Sequence, residues 1–258
     1  MNRRNFALST LALATCLGII GCSQTNSESV ALTVSVAASV QDAMKEVQVA
    51  YQAEAPNVTV TYNFGSSGSL AQQINQGAPV DVFLSASQPW MDDVEASGQL
   101  VDGSRTDLLQ NAMVLIAPQD TTNIANFPDL EANSIRKVAM GEPESVPAGR
   151  YAKEVLTTFN LFEPLQAKFV FTKDVRQVLS YVETGNVDAG LVYTTDALLS
   201  DRVQVVATAP AESHAAIVYP VAVVNDSTRP EAAQAFVDFL SGDIAMAIFE
   251  KYGFSTVE

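Results

Sequence analysis

The stretch that decides the fold is Leu32-Thr-Val-Ser-Val-Ala-Ala-Ser39, followed directly by Val-Gln-Asp-Ala-Met-Lys-Glu46. It predicts a buried strand that ends in a serine, followed at once by a helix. The same pattern recurs at Val58-Thr-Val-Thr-Tyr-Asn-Phe64, which is followed by Gly65-Ser-Ser-Gly-Ser69 and a second helical segment. The chain is therefore expected to place Ser39 and Ser67 where a strand gives way to a helix.

The start of a helix is a site for anions. Its first backbone N–H groups have no acceptor within the helix, and they carry about half a positive charge. A serine hydroxyl at the same place can also donate a hydrogen bond. Two such helix starts that face each other predict an anion site built without lysine or arginine. Simple helix capping remains the alternative for each serine taken alone.

The rest of the chain continues the alternation of strands and helices, which predicts an α/β fold. The two C-terminal helices do not continue the second block of strands, and we expect them to return to the first. The prediction is two lobes: residues 31–112 with 221–258 form lobe I, and residues 113–220 form lobe II. A cleft between two such lobes is a usual place for a ligand.

Three further groups in the predicted lobe II could face that cleft. Pro147 has no N–H, so Ala148 offers an early free donor of the helix that begins there. Val175, after the capping residue Asp174, offers another, and Tyr193 ends a buried strand with a phenol that needs a partner. Ordinary helix initiation and core packing are the alternatives for these three residues.

The N-terminus predicts export. Residues 1–21 have a positive start and an apolar run too short to span a membrane as a stop-transfer helix, which is typical of a signal peptide. Leu17-Gly-Ile-Ile-Gly-Cys22 resembles a lipoprotein box, so we expect acylation of Cys22 and a polar tether over residues 22–30. An ordinary signal with an incidental cysteine is the alternative. Both cysteines lie in this region, so the mature fold is expected to have no disulfide and no thiol nucleophile.

Composition argues against several classes of function. The net charge of −15 disfavours nucleic acid and anionic lipid surfaces as partners. The mature fold has one histidine, His214, and no cysteine. It therefore has few side chains suited to binding zinc, and we expect no metal site. No Gly-x-Ser-x-Gly motif and no phosphate-binding glycine motif is present, so we expect no enzyme, although a surface hydrolase that uses one of the serines stays open.

Several motifs together resemble the molybdate-binding proteins of ABC importers. They occur in family order and span nearly the whole mature chain: Ala37-Ala-Ser39, Asn63-Phe-Gly-Ser-Ser67, Ala78 to Ala86 with Trp90-Met91, Gly141-Glu-Pro, Val146-Pro-Ala-Gly149, Asp174-Val-Arg176, Gly190-Leu-Val-Tyr193, Tyr219 to Val224 and Lys251-Tyr-Gly-Phe254. The resemblance implies a two-lobed type II periplasmic-binding-protein fold that closes on molybdate or tungstate. It also implies a membrane permease as partner and no cofactor. Together with the N-terminal pattern, we expect a monomeric, exported, lipid-anchored receptor.

The resemblance also implies a set of ligand-binding groups. They are the hydroxyl and N–H groups of Ser39 and Ser67, the N–H groups of Ala148 and Val175, and the hydroxyl of Tyr193. Gly65 and Gly68 depart from the family pattern, so Ser66 is the alternative to Ser67, which we prefer from its offset to Phe64 and Leu70.

All of these groups are neutral donors, and a site of donors alone favours a fully deprotonated anion. Hydrogen phosphate carries an O–H that would find no acceptor there. Sulfate is not excluded on this ground, and a sulfate receptor of the same fold is the nearest alternative.

Overall fold

The computed structural model describes residues 29–257, and the predicted signal peptide, Cys22 and most of the tether lie outside this range. Two sheets carry the strands β1 Val30–Ala37, β2 Val58–Gly65, β3 Val82–Leu84, β4 Thr106–Asn111, β5 Met113–Pro118, β6 Val138–Gly141, β7 Phe169–Thr172, β8 Ala189–Tyr193, β9 Val203–Thr208, β10 Ile217–Val223 and β11 Ser255–Thr256. The helices are α1 Gln41–Glu54, α2 Ser67–Asn75, α3 Gln88–Ala96, α4 Pro147–Thr158, α5 Phe162–Leu165, α6 Val175–Glu183, α7 Thr194–Ala197, α8 Pro230–Leu240 and α9 Asp243–Lys251. Short 3-10 turns cover Ala38–Val40, Phe127–Glu131, Gln166–Lys168 and Ala211–Ser213.

The first sheet has the strand order β11-β4-β10-β3-β1-β2. Strand β1 lies parallel to β2 and β3, whereas β10 runs antiparallel to β3 and β4. Alternate residues of β3 point to opposite faces: Val82 and Leu84 join a core that includes α1, α8 and α9, and Phe83 joins a second core with α2 and α3. Helices cover both faces, which explains why β1 is apolar along most of its length.

The second sheet has the order β7-β6-β8-β5-β9, with β6 parallel to β7 and β8. Helices α4 and α6 pack on it. Gly190 on β8 lets α6 approach closely, since a Cβ there would lie 2.8 Å from side-chain atoms of both Val178 and Val182. The helix starts at α4 and α6 are thereby held at the edge of the sheet that faces the other lobe.

The chain crosses between the sheets at two places. It leaves the first sheet after Asn111 and enters the second at Met113, and it returns with β10. All of β10 belongs to the first sheet, because Ile217 already pairs with Asn111 and Val218 with Gln110. The boundary predicted between residues 220 and 221 therefore lies inside a strand, and we move it to before Ile217.

The structure decides three local points that the sequence left open. Ser39 lies in the 3-10 turn before α1 and does not cap that helix, whose N-cap is Val40. The N-cap of α2 is Ser66, whose hydroxyl accepts from the N–H of Ser69, so Ser67 is the first helical residue. Within the motif Ala78 to Ala86, only Val82–Leu84 forms a strand, and directly after it Ser85 Oγ donates to the Ser87 carbonyl and accepts from the Ser87 N–H, which turns the chain.

Within residues 29–257, no single helix is long and apolar enough to cross a membrane. Only the pair α8 and α9, bent by 56° at their junction, meets the length and composition criteria when taken together. Phe236 and Phe249 on these helices are fully buried in the protein core, as expected for helices that pack on a sheet.

Candidate functional site

One small cavity lies between the two lobes and brings together all five site residues predicted from the sequence. Its volume is about 10 Å³, so this conformation leaves no space for a bulky organic ligand. The lining residues come from the carboxyl ends of strands and the starts of helices in both lobes: Ala37, Ala38, Ser39, Gly65, Ser66, Ser67, Ala86, Val146, Pro147, Ala148, Asp174, Val175 and Tyr193.

Ser39 enters the cavity from the turn after β1. The residue is buried, and its Oγ lies 3.1 Å from the Oη of Tyr219 on β10. Because this residue belongs to the 3-10 turn and not to the body of α1, its side chain is free of a capping role. The hydroxyl is therefore available to a group in the cavity.

Ser67 enters from the first turn of α2, and the two serines of this loop have different tasks. The Oγ of Ser66 accepts from the Ser69 N–H and donates to the Ser69 hydroxyl, 2.9 Å away. The Oγ of Ser67 accepts from the Ala86 N–H at 2.8 Å. This leaves the proton of the Ser67 hydroxyl free, whereas that of Ser66 is already engaged, which supports the choice of Ser67.

Backbone donors come from lobe II. Ala148 is the second residue of α4 and Val175 the first of α6, and N–H groups in a first helical turn have no acceptor within their helix. Both residues are buried, so water does not freely satisfy these groups. A Cβ on Gly149 would overlap the carbonyl group of Gly141, so only glycine allows the start of α4 to pack this closely on β6. Two buried N–H groups are thus available to an acceptor in the cavity.

Tyr193 supplies the most telling feature of the site. The residue is 1 % exposed, and its hydroxyl has no hydrogen-bond partner within 3.5 Å among the described residues. Burial raises the pKa of this phenol, which keeps it protonated and able to donate. A buried hydroxyl without a partner is energetically unfavourable, and it becomes satisfied when an acceptor occupies the cavity.

The cavity carries no cationic side chain. The residues that line it include no lysine, arginine or histidine. One acid is present, Asp174, whose carboxylate caps α6 by accepting from the Gln177 N–H at 2.9 Å. An anion in this cavity would thus be held by hydrogen bonds and helix starts, not by an ion pair.

Arg176 lies behind the cavity and joins the two lobes. From α6 it donates to the carbonyl oxygens of Ala38 and Ser39, at 3.2 Å and 3.1 Å, and its Nη1 lies 3.0 Å from the carboxylate of Asp42. Its positive charge therefore sits beside the turn that carries Ser39. No local sequence pattern marks Arg176 as functional, because its partner turn lies 137 positions away in the chain.

Asp196, just after Tyr193, is fully buried next to Arg176. The Nε of Arg176 lies 2.9 Å from its Oδ1, but the N–H is directed at Ala38, so Oδ1 has a nearby cation and no hydrogen bond. Burial raises the pKa of Asp196 to about 7, and the charge of Arg176 opposes this only in part. No sequence pattern near Asp196 reveals this environment, because it depends on Arg176 from another helix.

The histidine is not part of this site. His214 lines a different cavity of about 540 Å³ on lobe II, together with Arg150, Lys153, Glu154 and Glu212. It lies against the ring of Tyr151, with the ring centroids 6.0 Å apart. The residues that line the serine cavity therefore include no imidazole that could act as a general base.

Comparison with known proteins identifies the family. The family model of bacterial extracellular solute-binding proteins matches residues 32–255. The chain is 43 % identical to the "Putative ABC transporter substrate-binding lipoprotein YvgL" of Bacillus subtilis, with 98 % of each chain covered. It is 36 % identical to the molybdate-binding protein ModA of Haemophilus influenzae, over 94 % of this chain and 97 % of that protein.

A solved structure gives the same result. The "substrate binding domain of putative molybdenum ABC transporter from Clostridium difficile" is 43 % identical and superposes with a TM-score of 0.70, covering 89 % of this chain and all of that one. The two-lobed fold predicted from the sequence is confirmed by this similarity and by the two sheets. The chain belongs to the family of bacterial extracellular solute-binding proteins.

Proposed function

We propose that this protein is an exported receptor that closes on molybdate, and also on tungstate, and delivers the anion to an ABC permease in the membrane. The observation that carries the proposal is the buried hydroxyl of Tyr193, which lines the cavity and has no partner within residues 29–257. The ligand-binding groups are the hydroxyls and N–H groups of Ser39 and Ser67, the N–H groups of Ala148 and Val175, and the hydroxyl of Tyr193.

The chemistry of these groups suits a small dianion. A buried anion must be hydrogen-bonded to offset the loss of its hydration, and each hydrogen bond to a charged group contributes roughly 1.5–3 kcal/mol. Neutral donors converge on the cavity from both lobes, so an anion bound there would bridge them. Binding would stabilise the closed arrangement, because only that arrangement brings the two sets of donors together.

The identity of the anion rests on the relatives. A protein named as molybdate-binding shares 36 % of its residues with this chain over nearly its full length. Sulfate is the main alternative, since it is also tetrahedral and fully deprotonated at neutral pH.

Titration calorimetry with molybdate, tungstate, sulfate and phosphate tests the proposal. We expect tight binding of the first two, weak binding of sulfate and still weaker binding of phosphate. Equal affinity for sulfate and molybdate would overturn the assignment of the anion and leave an oxyanion receptor of broader specificity.

A hydrolase is the less favoured alternative. Ser39 and Ser67 lack a histidine among the residues that line their cavity, and a serine nucleophile needs an adjacent base. We therefore propose that the protein is not an enzyme. Turnover of an ester substrate that disappears in Ser39→Ala, but persists in His214→Ala, would contradict this.

Residues 1–21 and Cys22 indicate where the protein acts. We propose that the segment is cleaved before Cys22 and that a lipid on this cysteine anchors a monomeric receptor outside the cytoplasm. Mass spectrometry of the mature N-terminus is the direct test. An unmodified cysteine, or cleavage at another position, would contradict the lipid anchor without affecting the anion site.

A further inference from the structure

The phenol of Tyr219 on β10 is held next to the site without lining it. The residue is fully buried, and its Oη lies 3.2 Å from the Nδ2 of Asn111 and 3.1 Å from the Oγ of Ser39. The Oδ1 of Asn111 accepts from the Ala112 N–H at 2.9 Å, and a backbone N–H can only donate. The amide of Asn111 is therefore oriented with its NH₂ group towards Tyr219.

This orientation decides the direction of the next hydrogen bond. Because Asn111 donates to the phenol oxygen, the phenol hydrogen must find another acceptor, and Ser39 Oγ is the acceptor that the described residues provide. Burial raises the pKa of Tyr219, so the phenol keeps its proton. The arrangement therefore favours donation from Tyr219 to Ser39, which leaves the hydrogen of the Ser39 hydroxyl for the cavity.

The oxygen of Ser67 also accepts a hydrogen bond from within the protein, but from a backbone N–H. Its Oγ accepts from the N–H of Ala86 at 2.8 Å, and this N–H cannot reverse its role. Both serines therefore have an internal donor on the oxygen and a free hydrogen of their own. The internal donor occupies one of the two lone pairs on each serine oxygen, so these two side chains have less capacity to accept a hydrogen bond from a ligand.

We propose that Tyr219, oriented by Asn111, is a positioning residue that makes Ser39 a hydrogen-bond donor and thereby weakens the binding of oxyanions that carry their own O–H. The inference rests on the proposed function, because it specifies how that same site selects its anion. It assigns part of the discrimination against monohydrogen phosphate or arsenate to the hydrogen-bond direction of two serine hydroxyls, which donate to the cavity. Discrimination by cavity size remains a separate effect.

The test is Tyr219→Phe, which keeps the ring and removes the hydroxyl. Titration calorimetry at neutral pH should show molybdate affinity about tenfold lower, since Ser39 is no longer held as a donor. Phosphate affinity should fall less or rise, because Ser39 Oγ can then accept the phosphate O–H. The ratio of the phosphate dissociation constant to the molybdate dissociation constant should therefore become smaller.

Tyr51→Phe is the matched control, since Tyr51 is a buried tyrosine that packs on Phe236 and Phe239. It should leave this ratio unchanged.

A double-mutant cycle separates this role from a structural one. In a Ser39→Ala background, Tyr219→Phe should have little further effect on molybdate affinity, because its effect is transmitted through the Ser39 hydroxyl. An unchanged ratio, an equal loss for both anions, or full additivity in the cycle would overturn the inference. Failure of the wild-type protein to bind molybdate would instead overturn the proposed function, so the two failures are distinguishable.

Discussion

Arg176 on α6 donates a hydrogen bond from Nη2 to the carbonyl oxygen of Ser39, 3.1 Å away in the other lobe. The turn that carries one predicted ligand-binding residue is thus tied directly to the helix that begins with another, Val175. Separation of the lobes would break this bond. We therefore expect Arg176 to couple closure of the cleft to the position of Ser39.

We predict that Arg176→Gln lowers molybdate affinity by roughly tenfold to a hundredfold, because hydrogen bonds to a charged group are lost across the cleft. The variant should also be less stable, since the buried carboxylate of Asp196 loses its neighbouring cation. Calorimetry and thermal unfolding measure the two effects. Arg202→Gln, which removes an exposed ion pair with Glu183, is the control and should change neither. Wild-type affinity in Arg176→Gln would contradict the coupling.

Gly68 provides a test of closure. Its N–H donates to the Ser145 carbonyl at 3.1 Å across the cleft, and a Cβ at this position would lie 2.5 Å from that oxygen and 2.8 Å from the ring of Trp90. Gly68→Ala should therefore hold the lobes apart and weaken molybdate binding.

Small-angle scattering with and without molybdate measures this effect. Wild type should compact on binding, and Gly68→Ala should compact less. Gly242→Ala at the start of α9 is the control and should behave as wild type. Full compaction with unchanged affinity in Gly68→Ala would rule out steric control of closure.

Replacing Ser66 and Ser67 with alanine, one at a time, should give different effects on binding and on stability. Ser67→Ala removes a hydroxyl that lines the cavity, and we expect a loss of molybdate affinity of about tenfold or more. Ser66→Ala removes the N-cap of α2, and we expect a loss of about 1 kcal/mol in the free energy of unfolding with little change in affinity. Binding calorimetry and denaturant unfolding of both variants give the comparison. The reverse pattern would assign the ligand contact to Ser66.

Asp196 predicts a pH dependence of stability. Its pKa is raised from 3.8 to about 7 in the folded protein, so between these values the folded state binds more protons than the unfolded state. The contribution of this residue to the free energy of unfolding should therefore be fully present below about pH 4, fall as pH rises towards 7, and stay low above that.

Asp196→Asn should lack this decline, so its stability relative to wild type should improve with rising pH. Denaturant unfolding at pH 5 and pH 8 measures the difference. Asp201→Asn, at an exposed position, should follow wild type at both values. Parallel curves for wild type and Asp196→Asn would show that the residue does not titrate in this range.

The parts of the site that could be predicted are those that arise locally. Ala148 and Val175 present free N–H groups because each begins a helix, and Pro147 and Asp174 mark those beginnings in the sequence. Tyr193 follows from its place at the end of an apolar strand. These features depend on residues within a few positions of one another, which a sequence pattern can reveal.

Features that depend on distant contacts were not predictable. The orientation of Ser39 depends on Tyr219, 180 residues away, and the free proton of Ser67 depends on the Ala86 N–H. The lobe boundary was placed inside β10, because an apolar strand gives no sign of which sheet it will join. Pairing of Ile217 with Asn111 decides that point.

An α/β chain with serines at the helix starts, an acidic balance and an N-terminal segment that predicts export can be read from the residues alone. These properties follow from short-range periodicity and composition. The three-dimensional packing was needed to establish which helix starts converge on one cavity, which serine keeps a free proton, and that Arg176 joins the lobes. Hydrogen bonds across the cleft depend on the packing of two sheets, and no local pattern encodes that distance or direction.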